Sequence, residues 1–187
     1  MARRKVYRVQ LRRRREGKTD YRKRTRYLLS GLPRLVVRRS NAHYFVHIAV
    51  PSESGDITVA SAHSKELARD FGWKGHGSCA ASAYLTGLLC GVKAKRAGVS
   101  KAILDTGLLV PSAGSNVFAV AKGALDAGLE VPCDEGCLPP MERIRGDMFA
   151  SDPDRFQRFR ARAIDLKELP AHFDEVVSKI TSSTSEE

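Results

Sequence analysis

The sequence holds four aspartates in the stretch that reads as folded, Asp56, Asp70, Asp105 and Asp126, and clustered carboxylates are what a metal-dependent nuclease or phosphotransferase needs. Only Asp105 stands at the end of a predicted strand, where a single carboxylate serves as a cap or loop anchor, so no metal centre is expected. The cysteines do not supply one either. Structural zinc sites need two tight pairs, whereas only Cys133 and Cys137 lie close here and no histidine sits at ligand spacing. Cys79 and Cys90 fall in an Ala-rich apolar stretch and read as buried small hydrophobes, and Cys133 and Cys137 read as exposed thiols. The loop Gly72 to Gly77 lacks the G-x-x-x-x-G-K-[ST] order of a phosphate cradle and follows a helix rather than a strand. Within it Trp73 has two readings, a stacking ring or a lid on the core, and Lys74 is the cation. His43 and His47 share one strand face with no nucleophile beside them, and read either as rings facing a nucleic acid or as half-buried sheet histidines. The hairpin Arg38-Arg39-Ser40-Asn41 is more specific: two guanidiniums, a hydroxyl and an amide on one tight turn suit phosphate and sugar oxygens. No catalytic residue and no cofactor are expected.

The elements that must position these groups follow from periodicity. Ala2 to Arg15 is a basic run without an apolar face, expected to order only on a partner. Thr19 to Ser30 reads as a short helix capped by Thr19 or Asp20 and stopped by Gly31 and Pro33. Arg34 to Arg39 and Tyr44 to Val50 read as strands joined by a hairpin in which Asn41 tolerates left-handed geometry. After a turn from Pro51 to Asp56, Ile57 to Ser61 completes a three-stranded meander. Ser64 to Phe71 is a short helix with Ser64 as cap. Ser78 caps a longer helix to about Ala97, whose small residues, Gly87 and Gly91 among them, suit close packing on a sheet, and whose last turn carries Lys93, Lys95 and Arg96. Lys101 to Asp105 is a short strand able to pair parallel to the meander, and Ser115 to Ala127 is a helix stopped by Gly128. Helical fragments follow at Met141 to Arg145, Pro153 to Ala163 and Ala171 to Ile180, and Ser182 to Glu187 reads as a disordered end. The fold class is α/β, a sandwich with a mixed sheet. The expected organisation is a basic arm and short helix over 1–32, an α/β core over 33–131 and an acidic, partly helical, peripheral extension over 132–187.

Composition narrows the partner. The 187 residues carry a net charge of +11, with 42% hydrophobic residues, which fits a globular domain with tails. Met1 to Arg39 holds 16 Lys and Arg against 2 Asp and Glu, Ser40 to Val110 holds 7 against 5, and Pro111 to Glu187 holds 9 against 14. The excess lies wholly in the first fifth of the chain, the asymmetry of a polyanion-binding arm on a folded body. Arginine dominates there, and its planar fork grips phosphate bidentately and stacks on bases, which points to RNA or DNA. No window approaches the ~20 apolar residues of a membrane span, so a soluble chain without a membrane partner is expected, and free cysteines fit a reducing, cytoplasmic setting.

Seven stretches in order carry a resemblance: Lys18-Thr-Asp-Tyr-Arg-Lys-Arg, Pro33-Arg-Leu-Val-Val-Arg-Arg-Ser-Asn, Ala60-Ser-Ala-His-Ser-Lys-Glu, Ala83-Tyr-Leu-Thr-Gly-Leu-Leu, Ala102-Ile-Leu-Asp-Thr-Gly-Leu, Lys122-Gly-Ala-Leu-Asp-Ala-Gly-Leu and Arg143-Ile-Arg-Gly. Over roughly Arg3 to Gly146 the chain resembles the large-subunit ribosomal protein eighteen family in its archaeal and eukaryotic form. The resemblance implies a structural component of the large ribosomal subunit, without catalytic activity, that binds 5S rRNA and helps attach it to the large-subunit rRNA beside neighbouring proteins of the central protuberance. It implies RNA contacts at Arg3, Arg4, Arg12, Arg13, Arg14, Arg15, Arg22, Lys23, Arg24 and Arg26, and at the hairpin residues Arg38, Arg39, Ser40, Asn41 and His43. Lys74, Lys93, Lys95 and Arg96 are secondary candidates.

Overall fold

The computed structural model describes residues 9–53, 55–151 and 167–183. The expected helix over Pro153 to Ala163, the end of the chain after Ser183, and Arg3 and Arg4 lie outside them. The basic run is partly ordered in the chain alone: Arg12–Arg15 forms one turn, α1, held where Arg13 Nε donates to Thr19 Oγ1 at 2.9 Å and Lys18 pairs with Glu16 at 3.0 Å. Helix α2, Tyr21–Leu29, starts at Asp20, whose carboxylate accepts from the backbone N–H groups of Arg22 and Lys23. It ends before Gly31, which takes the positive φ of 67°.

Strands β1 (Arg34–Arg39), β2 (Tyr44–Ser52) and β3 (Gly55–His63) form the expected antiparallel meander, and β4 (Ile103–Asp105) pairs parallel to β1, giving a mixed sheet of order β3-β2-β1-β4. The β2–β3 turn is tighter than expected, because Pro51 and Ser52 still pair with Asp56 and Gly55. Pro51 is tolerated there because β1 pairing stops at Ala49, so its missing N–H takes no bond from that ladder. The β1–β2 hairpin is closed by Ser40, whose hydroxyl accepts from the His43 N–H at 3.0 Å. Among the described residues only glycines have positive φ, so Asn41 is not left-handed.

The helices that follow are capped one residue away from where the sequence suggests, α3 one residue earlier and α4 one residue later. His63, not Ser64, caps α3 (Ser64–Asp70), with its ring accepting from Lys65 N–H and Glu66 accepting from the His63 N–H. Cys79, not Ser78, caps α4 (Ala80–Arg96) through its sulfur. Both serines are drawn elsewhere: Ser64 Oγ accepts from Tyr44 N–H at 3.2 Å, and Ser78 Oγ lies 3.4 Å from the Ser40 carbonyl, tying the helix starts to the hairpin.

Helix α4 is buried from Ala81 to Val92 and is the centre of the molecule, as an all-round apolar helix must be. One side covers the sheet, where Leu35, Val37, Tyr44, Val46, Ile48, Ala60 and Ala62 are buried; each large side chain so removed from water contributes about 1.5–3 kcal/mol. Its other side packs on α5 (Asn116–Asp126). The glycines serve this second contact and not the sheet: a Cβ on Gly87 would collide with the Val120 carbonyl, and one on Gly123 with the Tyr84 carbonyl. After a 3-10 turn at Glu135–Cys137 come α6 (Met141–Arg145), α7 (Asp147–Ser151) and α8 (Leu169–Ser182). The acidic extension lies outside the sheet, yet it is firmly docked, because Leu169, Phe173, Val176 and Ile180 of α8 and Ile144 of α6 belong to the buried core. Trp73 is resolved as a core lid: it is 3% exposed and stacks on His172 of α8 at 5.3 Å.

Candidate nucleic-acid interface

Pleating sends alternate residues of the meander to the face opposite α4. Arg34, Val36 and Arg38 of β1 stand there, in register with Ala49, His47 and Phe45 of β2, and His47 and Phe45 in turn with Ser61 and His63 of β3. Arg34 is only 4% exposed and is paid for by two carboxylates: Nη1 donates to Asp105 Oδ2 at 3.0 Å and Nη2 to Asp56 Oδ2 at 2.5 Å. Asp56 also accepts from Arg24 Nη2 at 2.8 Å, which clasps α2 to the sheet. Asp105 further accepts from Gly107 N–H at 2.8 Å and lies 3.7 Å from Arg38 Nη2. Its oxygens are thus spent on guanidinium and amide donors, the loop-anchor role expected of it.

Around this anchor the predicted cations converge. Arg13, Lys23, Arg24 and Arg38 line one cleft of about 70 Å³ together with Lys18 and Tyr27, with Arg34 and Asp105 also in its wall. Arg38 is held there, its Nη1 donating to the carbonyls of Val37 at 2.8 Å and Asp105 at 3.3 Å, while its side chain stays about half exposed. Burial first, then Asp105, push the Tyr27 phenol up, so it presents an O–H donor at neutral pH. Of the two acids in its wall, Asp105 is paired with guanidiniums and Asp20 accepts from the backbone N–H groups that start α2, so the cleft offers a surplus of donors in fixed positions, which suits a phosphate backbone.

The other predicted residues divide in two. Arg12, Arg14, Arg15, Arg22, Arg26, Arg39 and Asn41 are exposed on α1, α2 and the hairpin. The Ser40 hydroxyl is used within the turn, and His43 Nδ1 lies 2.9 Å from Ser64 Oγ, so these two shape the hairpin. The secondary candidates are elsewhere. Lys74 is exposed beside α8, and its backbone N–H donates to His172. Lys93 pairs with Glu66 at 2.6 Å and donates to the Ser61 carbonyl, Arg96 donates to the Ser183 carbonyl, and Lys95 Nζ lies against Gly128.

Three ring residues on the open face were not singled out together by the sequence: Phe45 lies 4.9 Å from His47 and 6.0 Å from His63 between ring centroids. The period of two along β2 signals the first pair, but His63 joins them only through the β2–β3 register. Burial first, then Arg38 and Arg34, lower the His47 pKa, and burial followed by His63 and Lys65 lower that of His43. Cys90 is buried as expected, its thiol pushed up to about 12 mainly by desolvation. Cys133 and Cys137 are half-buried.

Among the described residues no group of three or more His, Cys, Asp or Glu could hold a metal ion, and no helix is long and apolar enough to cross a membrane. Compared with known families, the chain matches the model for ribosomal large subunit proteins 60S L5, and 50S L18, over residues 5–99 and 92–134. These matches include α1, α2, the whole sheet, α4 and α5, and so every cation of the cleft.

Proposed function

The chain belongs to this family and is a structural constituent of the large ribosomal subunit, associated with its rRNA; from that premise we propose that it binds 5S rRNA and helps attach it to the large-subunit rRNA in the central protuberance of cytoplasmic ribosomes. The observation that carries the reading is the convergence of Arg13, Lys23, Arg24 and Arg38 from three separate elements on one cleft, prolonged by the exposed arginines of α1, α2 and the hairpin. Neutralising phosphates releases their counterions and supplies affinity, while a rigid set of donors selects shape, as recognition of structured RNA requires. The role is architectural and calls for no catalysis: Asp105, at the end of β4, is tied to arginines. The remaining rRNA contacts fall to the arm, and the acidic α6–α8 side faces neighbouring subunit proteins or solvent.

Binding to 5S rRNA, measured at near-physiological salt beside a length-matched unrelated structured RNA, tests the proposal. A preference of tenfold or more, about 1.4 kcal/mol, supports it. Equal affinities that fall on the same salt slope would sink it.

A further inference from the structure

The open face of the sheet carries a phenylalanine that the fold does not need there. Phe45 is 39% exposed, while the residues before and after it, Tyr44 and Val46, are fully buried under α4. Its neighbours are rings: His47 on the same strand, His63 across the β2–β3 pairing, and His43 at 5.2 Å from His63. On its other side Phe45 pairs in register with Arg38. The row His63, Phe45, Arg38 therefore spans two inter-strand spacings, about 10 Å, with flat rings at one end and a held guanidinium at the other.

Resting on the RNA-binding reading above, we propose that Phe45, flanked by His63 and His47, is a stacking platform for one unpaired nucleobase of the bound RNA, with Arg38 taking a phosphate beside it. Three features favour a base over a protein side chain as occupant. Lys65, exposed and close enough to act on His43, adds positive charge beside the rings. The two acids on this face, Asp56 and Asp105, are engaged by Arg24 and Arg34 and repel no phosphate. His47 is held neutral by its surroundings and adds ring surface without fixing a counter-charge. Unstacked bases in loops and bulges are taken up on aromatic side chains and arginine planes in this way.

Stacking and phosphate contacts separate by salt. Full-length Phe45→Leu keeps apolar bulk at a partly exposed site, and its thermal unfolding should match wild type. With 5S rRNA as probe it should bind about tenfold more weakly with an unchanged salt slope, because no counterion is involved, whereas Arg38→Ala should lower the slope by about one. Phe45→Trp should retain affinity, and its indole emission should be quenched on adding the RNA, against the background of buried Trp73. Wild-type affinity in Phe45→Leu, or unquenched Trp emission in the bound complex, would overturn the platform. If wild type fails to prefer 5S rRNA, the 5S reading falls alone. The platform then stands if Phe45→Leu loses affinity for the unrelated RNA, and falls with it otherwise.

Discussion

Along β2, Tyr44, Val46 and Ile48 turn toward α4 and are fully buried, while Phe45 and His47 turn away and stay partly open. The same comparison holds on β1 between Leu35 and Val37 on one face and Arg34 and Arg38 on the other. One backbone thus presents two chemistries: an apolar side that holds the fold together, and a side of arginines and rings whose charges are anchored but not used up. The arrangement teaches why the strands must keep register. A slip of one residue would bring Phe45, His47 and Arg38 under α4 and expel Tyr44, Val46 and Ile48.

Substitutions on opposite faces should therefore separate stability from RNA binding. The largest effect is expected from Ile48→Ala, which opens a cavity against α4 and should cost about 2–5 kcal/mol in denaturant unfolding, with the folded fraction binding RNA as before. A loss of RNA affinity without a loss of stability would break the comparison. Next is Arg38→Ala, expected to weaken RNA binding by about 1–3 kcal/mol, as the loss of charge-assisted contacts does, while barely moving the unfolding midpoint. Lys93→Ala is its control: that lysine is committed to Glu66, so its removal should leave RNA affinity unchanged.

The smallest effect concerns pH. The folded state lowers the His47 pKa below its ordinary 6.5, so as pH falls through that value the unfolded chain takes up the proton first. Stability should be flat above about pH 6.5 and decline below it, and His47→Gln should reduce the decline. Parallel thermal unfolding curves for the two proteins across that range would contradict the assignment.

Much of this was legible in the sequence, for reasons that differ by residue. The meander, the short strand β4 and the central helix follow from periodicity, and a cap of α2 at Thr19 or Asp20 follows from local chemistry, because each signal lies within a few residues; the structure chooses Asp20 and pairs β4 with β1. Ser64 and Ser78 look like caps for the same local reason, but their hydroxyls are claimed by residues 20 or more positions away, leaving the caps to His63 and Cys79. Gly87 and Gly91 announce close packing without saying against what, and the answer, α5 rather than the sheet, depends on how α4 is rotated. The cations of the interface could be enumerated from charge alone. The placing of Arg24 and Arg38 in one cleft depends on the ion pairs of Asp56 and Asp105, while Lys93 is held elsewhere by Glu66 and Arg96 donates to the Ser183 carbonyl. Trp73 had two readings until the docking of α8 decided between them.

The central claim is that RNA meets the open face of the sheet together with α2 and the β1–β2 hairpin, and not the α4–α8 side. Amide hydrogen exchange of the chain with and without bound 5S rRNA tests it most directly. The account predicts added protection over 20–30 and 38–45, with none over 72–77 or 93–97. Protection confined to those last two segments, with α2 and the hairpin exchanging as in the free protein, would contradict it.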